Sequence, residues 1–107
     1  MDNYKVKYST QAINDLRGIH AYIEYDLSSP INAKKQTARI RDAIRKLDTF
    51  PNGHPIVDFE PWHKMEMHKL PVDNYVVFYF VDDDMRVVNI SRIFYGGRNI
   101  ETIAKQI

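Results

Sequence analysis

The sequence predicts an α+β fold, in which an antiparallel helix hairpin packs on one face of a mainly antiparallel four-stranded sheet. Two observations predict it. Apolar residues recur at helical spacing in the first half of the chain, and strand-like runs follow one another in the second half. A strand precedes the helices, and a short helix ends the chain. With 107 residues the chain has the usual size of one domain, so we expect residues 1–107 to form a single domain.

The N-terminal half predicts one strand and two helices. Residues 4–8 alternate polar and apolar side chains, as a half-buried strand does, with its lysines in solvent. Ser9 or Thr10 caps the first helix, and Ser29 with Pro30 starts the second. The apolar stripes are Ala12, Leu16, Ile19, Ile23 and Leu27 in the first helix and Ala33, Thr37, Ile40, Ile44 and Leu47 in the second. The short break between the helices makes them an antiparallel hairpin.

The C-terminal half predicts three strands and a helix. The strands cover residues 64–70, 74–81 and 87–95, and the helix covers residues 100–107. Three aspartates at 82–84 form the turn between the last two strands, and Asn99 caps the helix. Because the helix hairpin covers only one face of the sheet, we expect the other face to be more open and to carry the function on its surface or rim.

Composition restricts the class of protein. The chain has no cysteine, which excludes disulfides and thiolate metal sites and fits a cytoplasmic protein. It has no run of 18 or more apolar residues, so we expect no membrane span. It has no metal-ligand spacing, phosphate loop or dinucleotide fingerprint, so we expect no metal and no cofactor. The net charge is +1, but residues 34–46 carry six cations and one acid, which indicates either a solvated helix face or a contact with RNA backbone.

Arg92 interrupts an apolar face of the last strand. If this strand alternates regularly, Arg92 shares a face with Val88, Ile90 and Phe94. One interpretation is structural: the stem of Arg92 packs while its head reaches the sheet edge or an aspartate. The other is functional: a strand holds the arginine rigidly so that its planar guanidinium binds phosphate.

Tyr95 and Arg98 flank a glycine pair where the last strand ends. Glycines let another backbone come close, so this turn is a candidate clasp for a phosphate or an acidic side chain. An ordinary turn with a packed tyrosine is the alternative. His68 and Lys69 lie next to each other on the strand at 64–70. His68 either exchanges protons near neutral pH or lies in solvent without a role.

Three segments resemble the RelE/ParE superfamily of bacterial type II toxins, of the plasmid-stabilisation type. They are residues 47–51 (LDTFP), 68–79 (HKLPVDNYVVFY) and 90–99 (ISRIFYGGRN). Their order and spacing together carry the resemblance, which covers about the whole chain. It implies a small α+β toxin of a toxin-antitoxin system, which a cognate antitoxin protein wraps and neutralises.

The resemblance implies one of two targets, the ribosome with its mRNA or, in the ParE branch, DNA gyrase. Members that cleave mRNA do so without a metal, by driving the ribose 2′-hydroxyl onto the adjacent phosphate. That reaction needs a base, a cation and an acid. On this interpretation Lys69 with Arg92 or Arg98 stabilises the phosphate, and Tyr95 or His68 exchanges protons. We therefore predict a toxin that inhibits translation as a ribosome-dependent endoribonuclease.

Departures from the family pattern keep two alternatives open. Relatives usually carry an arginine in the central strand, where this chain has Val76 or Phe80, and some carry a loop glutamate where it has Ile56. The net charge of +1 is low for a ribosome-directed toxin. One alternative is a non-catalytic ParE-like toxin of DNA gyrase. The other is a weakened relative that acts as an antitoxin-binding module.

Overall fold

A computed structural model describes residues 3–106 and has the predicted element order β-α-α-β-β-β-α. The strands are β1 (Lys5–Tyr8), β2 (His68–Val72), β3 (Tyr75–Asp82) and β4 (Val87–Tyr95). The helices are α1 (Thr10–Ala21), α2 (Pro30–Arg45) and α3 (Ile100–Lys105). The predicted α+β fold is confirmed. Ile107, the predicted last residue of the C-terminal helix, lies outside the described residues.

Capping residues begin the helices where the sequence predicts. The Ala12 amide donates to the Ser9 hydroxyl oxygen at 2.9 Å, and the Thr102 amide donates to the Asn99 side chain at 3.3 Å. The end of α1 differs from the prediction because it widens into a π-helical turn, Tyr22–Asp26. A π-turn holds more residues than an α-turn, so the residues after it no longer project from the same side as the apolar stripe of α1. Leu27, predicted to be in that stripe, is therefore 56% exposed.

The sheet has the strand order β1-β4-β3-β2. β1 runs parallel to β4, and the other two pairs are antiparallel. β2 begins at His68 and not at residue 64 as predicted, because the chain turns through residues 60–66. Glu66 has a φ of 55°, in the left-handed region, which no regular strand contains.

β4 contains a bulge at Ser91. Its neighbours Ile90 and Arg92 pair with consecutive residues of β3, so Ser91 has no partner in the register. The extra residue shifts the alternation of side chains. Val88 and Ile90 face the helices, whereas Arg92 and Phe94 face the other side of the sheet. The prediction that these four residues share one face is therefore wrong.

Apolar clusters cover both faces of the sheet. The helix-side cluster consists of Ala12, Leu16, Ile40, Ile44, Leu47, Leu70, Val77, Tyr79, Val88, Ile90 and Ile93. The second cluster consists of Val57, Trp62, Met67, Phe78, Phe94 and Ala104. The second face was expected to be open, but the segment 55–67 and α3 fold over it. The end of β4 and residues at the rims of this second cluster, such as Lys69 and Arg98, remain exposed.

Candidate functional site

A tight turn at the end of β4 displays Tyr95. The Gly96 amide donates to the Asn74 carbonyl oxygen at 2.8 Å, and the Arg98 amide donates to the Tyr95 carbonyl oxygen at 3.1 Å. Gly97 lies against the Tyr95 ring, since a Cβ at Gly97 would be 2.5 Å from Cε2 of that ring. A side chain at Gly97 would therefore displace the ring, which is half exposed in its present position.

Tyr95 belongs to a group of three tyrosines. Its ring meets that of Tyr75 edge-on, with 6.0 Å between the centroids. Burial, followed by the nearby Tyr22 and Tyr95, raises the pKa of the Tyr75 phenol. Tyr22 comes from the π-turn after α1, whereas Tyr75 and Tyr95 come from paired positions on β3 and β4. Helix and sheet thus both contribute to one aromatic surface.

Two arginines lie on the ring of the buried Phe94. The guanidinium carbon of Arg92 is 4.4 Å from the ring centroid, and that of Arg98 is 5.0 Å from it. Such contacts are favourable because the face of an aromatic ring is electron-rich. Within residues 3–106, no carboxylate forms an ion pair with Arg98. Its exposed guanidinium is therefore available to an anionic group from outside.

Arg92, in contrast, is already bound. Its Nε and Nη2 donate to the two carboxylate oxygens of Asp15 at 2.8 and 3.0 Å. The same carboxylate accepts the Ile93 backbone amide at 2.9 Å. The side chains of Arg92 and Asp15 are 20% and 14% exposed, so water screens the pair only partly. The structural interpretation of Arg92, a head that reaches an aspartate, is confirmed by this contact.

Lys69 lies on the same face of the sheet as Arg92. It pairs with Phe78 across β2 and β3, and Phe78 pairs with Arg92 across β3 and β4. Directly opposed residues project from the same face of a sheet. Two strand spacings separate Lys69 from Arg92, or about 10 Å between their backbones. The exposed Lys69 side chain therefore stands at one rim of the second cluster, and Arg98 stands at another.

His68 is buried and lies far from Tyr95 along the sheet. It is 5% exposed, and its Nδ1 is 2.7 Å from the His54 carbonyl oxygen. Its ring stacks on that of Tyr79, with 5.0 Å between the centroids. Tyr79 is four residues along β3 from the position that pairs with Tyr95, or about 13 Å. The expectation of a solvent-facing histidine is wrong, because the chain at 50–54 covers the ring.

A groove joins Tyr95 and Arg98 to the helix hairpin. It has a volume of about 780 Å³, and we call it the tyrosine groove. Its lining consists of Asn14, Asp15, Gly18, Ile19, Tyr22, Leu27, Asn74, Tyr75, Ile93, Phe94, Tyr95 and Arg98. Sequence reasoning missed its helical wall. The available signal was Tyr22 and Leu27 near the end of the first predicted helix. Leu27 was assigned to the apolar stripe of that helix instead.

The basic stretch at 34–46 is a solvated helix face of α2. Arg39 Nε is 2.7 Å from the Asp73 carboxylate, and Arg45 is 2.8 Å from that of Asp42. The Arg39 side chain, then that of Gln36, hydrogen-bonds Asp73 and lowers the pKa of its carboxyl. Two of the six cations are thus occupied by acids of the chain itself.

Apolar residues occupy the three positions where the family resemblance led us to look for an arginine or a glutamate. Val76 and Phe80 pack against the second cluster, where a charged head would be desolvated. Ile56 pairs with His68 through an isolated bridge at the edge of β2. The second face is therefore a packing surface at Val76 and Phe80, whereas Ile56 is exposed at the sheet edge.

Neither a metal site nor a membrane span is found in the described part of the chain. Among residues 3–106, no group of three or more histidine or acidic side chains is placed to hold a metal ion. No helix in the same range is both long and apolar enough to cross a membrane.

Comparison with known proteins identifies a family. A family model described as the ParE toxin of the type II toxin-antitoxin system parDE matches residues 6–100. No curated protein sequence matches the chain significantly.

Solved structures share the fold. The chromosomal ParDE system from P. aeruginosa matches with a TM-score of 0.71 and 19% identity, over 89% of this chain and 98% of that one. A mutant of the E. coli toxin RelE in the free state matches with a TM-score of 0.68 and 13% identity, over 98% of each chain. The RelBE2 toxin-antitoxin complex from Mycobacterium tuberculosis matches with a TM-score of 0.60 and 20% identity, over 87% of this chain and 98% of that one. At these identities the likeness is one of fold.

Proposed function

The chain belongs to the ParE toxin family of type II toxin-antitoxin systems, and from that membership we propose that it arrests growth in the cytoplasm by binding DNA gyrase, without cutting RNA. In this proposal the chain is a single toxin domain that a cognate antitoxin neutralises. Tyr95, Arg98 and Lys69 contact the target. Arg92 holds the end of β4 in place through Asp15.

The burial of His68 is the observation that carries this proposal. Cleavage through the 2′-hydroxyl needs a base and an acid on opposite sides of one phosphate, with a cation beside it. His68 and Tyr95 are the two predicted residues to which proton exchange was assigned. The ring of His68 is stacked in the interior and bonded to the His54 carbonyl, at a distance along the sheet from Tyr95. Among the predicted site residues that the structure describes, Tyr95 therefore has no partner placed for the second proton transfer.

Charge supports the same conclusion. Arg92 shares its guanidinium with Asp15, which reduces the positive charge that it offers to a phosphate. The central strand has the uncharged residues Val76 and Phe80 where an arginine was expected, and the net charge of the chain is only +1. A toxin that binds a protein surface needs fewer cations of its own than a toxin that binds a polyanion such as RNA. An exposed tyrosine beside an arginine is a combination that protein interfaces favour.

A gyrase assay tests the proposal. We expect the purified chain to inhibit supercoiling of a relaxed plasmid by gyrase. Arg98→Glu should weaken this inhibition at least tenfold, because it reverses the free cation beside Tyr95. Lys35→Glu, an equal charge change on the exposed face of α2, is the matched control and should act like the wild type. Uninhibited gyrase at saturating chain, with growth still arrested in cells, would contradict the proposal.

One observation favours RNA cleavage as a second candidate. Lys69, Arg92 and Arg98 lie around the aromatic side chains of Phe78 and Phe94 on one face of the sheet. Because Phe78 and Phe94 are buried, this surface offers cations and no open ring, and cations along a surface suit a sugar-phosphate backbone. Mapping of mRNA ends after induction separates the candidates, since ribosome-bound fragments would overturn the gyrase proposal.

The double variant Tyr95→Phe with Arg98→Ala tests the site under either candidate. We expect it to relieve growth arrest, because it removes the phenol and the free cation together. Unchanged toxicity would show that the site lies elsewhere. If the wild-type chain causes no growth defect, an antitoxin-binding module without a toxic activity replaces both candidates.

A further inference from the structure

A second cavity lies between Arg17 of α1 and Arg41 of α2, at the Tyr8 end of β1, and has a volume of about 390 Å³. We call it the helix cavity. It shares no lining residue with the tyrosine groove, and the function proposed above does not use it. Its volume is within the usual range of small-molecule sites, so the helix cavity has room for a ligand of that class.

Two arginines from different helices line the helix cavity without an acidic partner. Among the described residues that line it, none is an aspartate or a glutamate. Within residues 3–106, no carboxylate forms an ion pair with Arg17 or Arg41, whereas Arg39 and Arg45 of α2 each have one. Like charges that line one cavity repel each other. A bound anion would replace this repulsion with two attractive contacts.

The phenol of Tyr8 adds a third hydrogen-bond donor. This residue is partly buried, and no group among residues 3–106 hydrogen-bonds its hydroxyl. Burial raises the pKa of the Tyr8 phenol, and the positive charge of Arg41 opposes that rise. The hydroxyl is therefore protonated at neutral pH and lies within the field of Arg41. His20 lines the cavity as well, but its Nδ1 is 3.4 Å from the Glu24 carboxylate.

Apolar side chains form the other part of the lining. Leu16 is 8% exposed and Ile13 is 39% exposed. The hydroxyl of Thr37, which also lines the cavity, donates to the Ala33 carbonyl oxygen at 3.0 Å and needs no further partner. An anion in the helix cavity would thus have apolar surface beside its charged group. This arrangement favours an organic anion over an inorganic one.

Charge and the number of donors restrict the anion further. A phosphate monoester carries a charge of about −1.5 to −2 at pH 7 and has three strong acceptor oxygens. It therefore matches two guanidiniums and one phenol. A carboxylate has one charge and two oxygens, so it would leave one arginine without a counter-charge. A phosphodiester within a nucleic acid also has a single charge, and it continues into neighbouring phosphates that need further cations.

We infer that the helix cavity binds a small organic phosphate monoester, with its phosphate on Arg17, Arg41 and Tyr8 and its apolar part against Ile13 and Leu16. Arginine suits this role because its planar guanidinium can donate two parallel hydrogen bonds to phosphate. Bound there, the ligand joins the two helices of the hairpin and stabilises the folded chain. The inference does not depend on the proposed function, since it involves neither Tyr95 nor Arg98.

Phenyl phosphate is a suitable probe because it combines a phosphate monoester with a small apolar ring. We expect one molecule to bind per chain in calorimetry and to raise the melting temperature by a few degrees at millimolar concentration. Inorganic phosphate should bind at least fivefold more weakly, since it lacks the apolar part. Benzoate, which keeps the ring and replaces the phosphate with a carboxylate, should also bind at least fivefold more weakly.

The double variant Arg17→Gln with Arg41→Gln should weaken phenyl phosphate binding at least tenfold. Both arginines are exposed and have no acidic partner in the described chain, so the variant should fold, which circular dichroism checks. Lys34→Gln with Lys35→Gln is the matched control. It removes two positive charges from exposed positions of α2 that do not line the cavity, and it should bind as the wild type does.

Single variants test the two parts of the lining separately. Tyr8→Phe should weaken the binding of phenyl phosphate and of inorganic phosphate several-fold each, because it removes a donor to the phosphate. Ile13→Ala should weaken only phenyl phosphate, because it removes contact with the ring. A general loss of structure would weaken both probes in both variants, so the difference between the probes identifies a direct contact.

Three results would overturn the inference. The first is that phenyl phosphate does not bind the wild-type chain at millimolar concentration. The second is that the arginine variant and the wild type bind it equally well. The third is that the arginine and lysine variants lose affinity to the same extent, which would show general attraction of anions to the basic face of α2. None of these results bears on gyrase inhibition, so the proposed function stands or fails separately.

Discussion

The Tyr95 ring can take its position because Gly97 has no side chain. The ring occupies space that a Cβ on Gly97 would enter, 2.5 Å from Cε2. The ring is half exposed and meets Tyr75 edge-on, so it can swing away at little cost in packing. A small change at Gly97 therefore alters the orientation of Tyr95 without a change at Tyr95 itself.

Gly97→Ala should reduce toxicity about as much as Tyr95→Ala does. The added methyl group displaces the ring, while stability should change by less than about 1 kcal/mol, because the turn is exposed. Growth after induction and a thermal melt measure the two quantities. Gly53→Ala is the control, since its Cβ would lie 3.8 Å from Phe50, an ordinary contact. Full toxicity in Gly97→Ala would mean that the orientation of Tyr95 does not matter.

At the residue scale, local sequence predicted the turn but not the burial of His68. The glycine pair indicated a turn that presents Tyr95 and Arg98, and the structure has that turn. The exposure of His68 depends on a contact that is distant in sequence, with the carbonyl of His54 and the ring of Tyr79. Alternation within a strand says which residues share a face, but it does not say which face a loop will cover.

At the element scale, Asp15 accepts a backbone hydrogen bond from the part of β4 that β1 does not pair with. β1 pairs with β4 only as far as Ile90, so the following part of β4 lacks a strand on that side. The Ile93 amide, which would otherwise face this gap, donates to Asp15 of α1. The same carboxylate fixes Arg92. One acidic side chain thus joins the first helix to the last strand beside the candidate site.

Asp15→Asn should destabilise the chain by about 1–3 kcal/mol, because a partly buried arginine loses its charged partner and the amide nitrogen of asparagine cannot accept the second bond from Arg92. Urea unfolding followed by circular dichroism measures the change. Asp73→Asn is the matched control. The Asp73–Arg39 pair is exposed, and asparagine tolerates the positive φ of Asp73, which is 56°. Equal stability of the two variants would refute the structural role of Asp15.

Element order and helix starts follow from local signals, whereas the bulge does not. Ser9 and Asn99 act as caps because their side chains accept amides three residues on, a relation within one segment. The bulge at Ser91 exists only in relation to β3, its pairing partner. Without that partner, residues 88–94 have the pattern of a regular strand. The side of the sheet on which Arg92 lies could therefore not be predicted from its own strand.

At the scale of the whole molecule, the sheet has a core on each face. The sole tryptophan, Trp62, is 2% exposed and packs on Phe78, with 4.9 Å between the ring centroids. It comes from the segment between α2 and β2, where the sequence predicts a strand at residues 64–70 only. The second core thus ties an irregular segment to the centre of the sheet.

Trp62→Ala should lower the free energy of unfolding by about 3–5 kcal/mol, the usual cost of removing a buried tryptophan. Chemical unfolding followed by circular dichroism measures it. Phe50→Ala removes an aromatic ring that is 82% exposed and should cost little. If both variants are equally stable, the second cluster is not part of the cooperative core, and the face that carries Lys69 and Arg98 is more open than the structure indicates.

High pH should unfold the molecule through its buried phenols. Burial raises the pKa of Tyr79 far above its usual value, and its hydroxyl donates to the Pro51 carbonyl oxygen at 2.6 Å. Because an unfolded tyrosine ionises near pH 10, the stabilisation from neutral Tyr79 is complete below about pH 10. Above that it falls by up to about 1.4 kcal/mol per pH unit.

Tyr79→Phe should flatten this alkaline slope in urea unfolding from pH 8 to 11, although it lowers stability at neutral pH by removing the hydrogen bond. Tyr25→Phe, in a ring that is 72% exposed, should leave the slope unchanged. If Tyr79→Phe does not alter the slope, Tyr79 is exposed to solvent in the folded chain. In that case residues 50–54 would not cover His68 either.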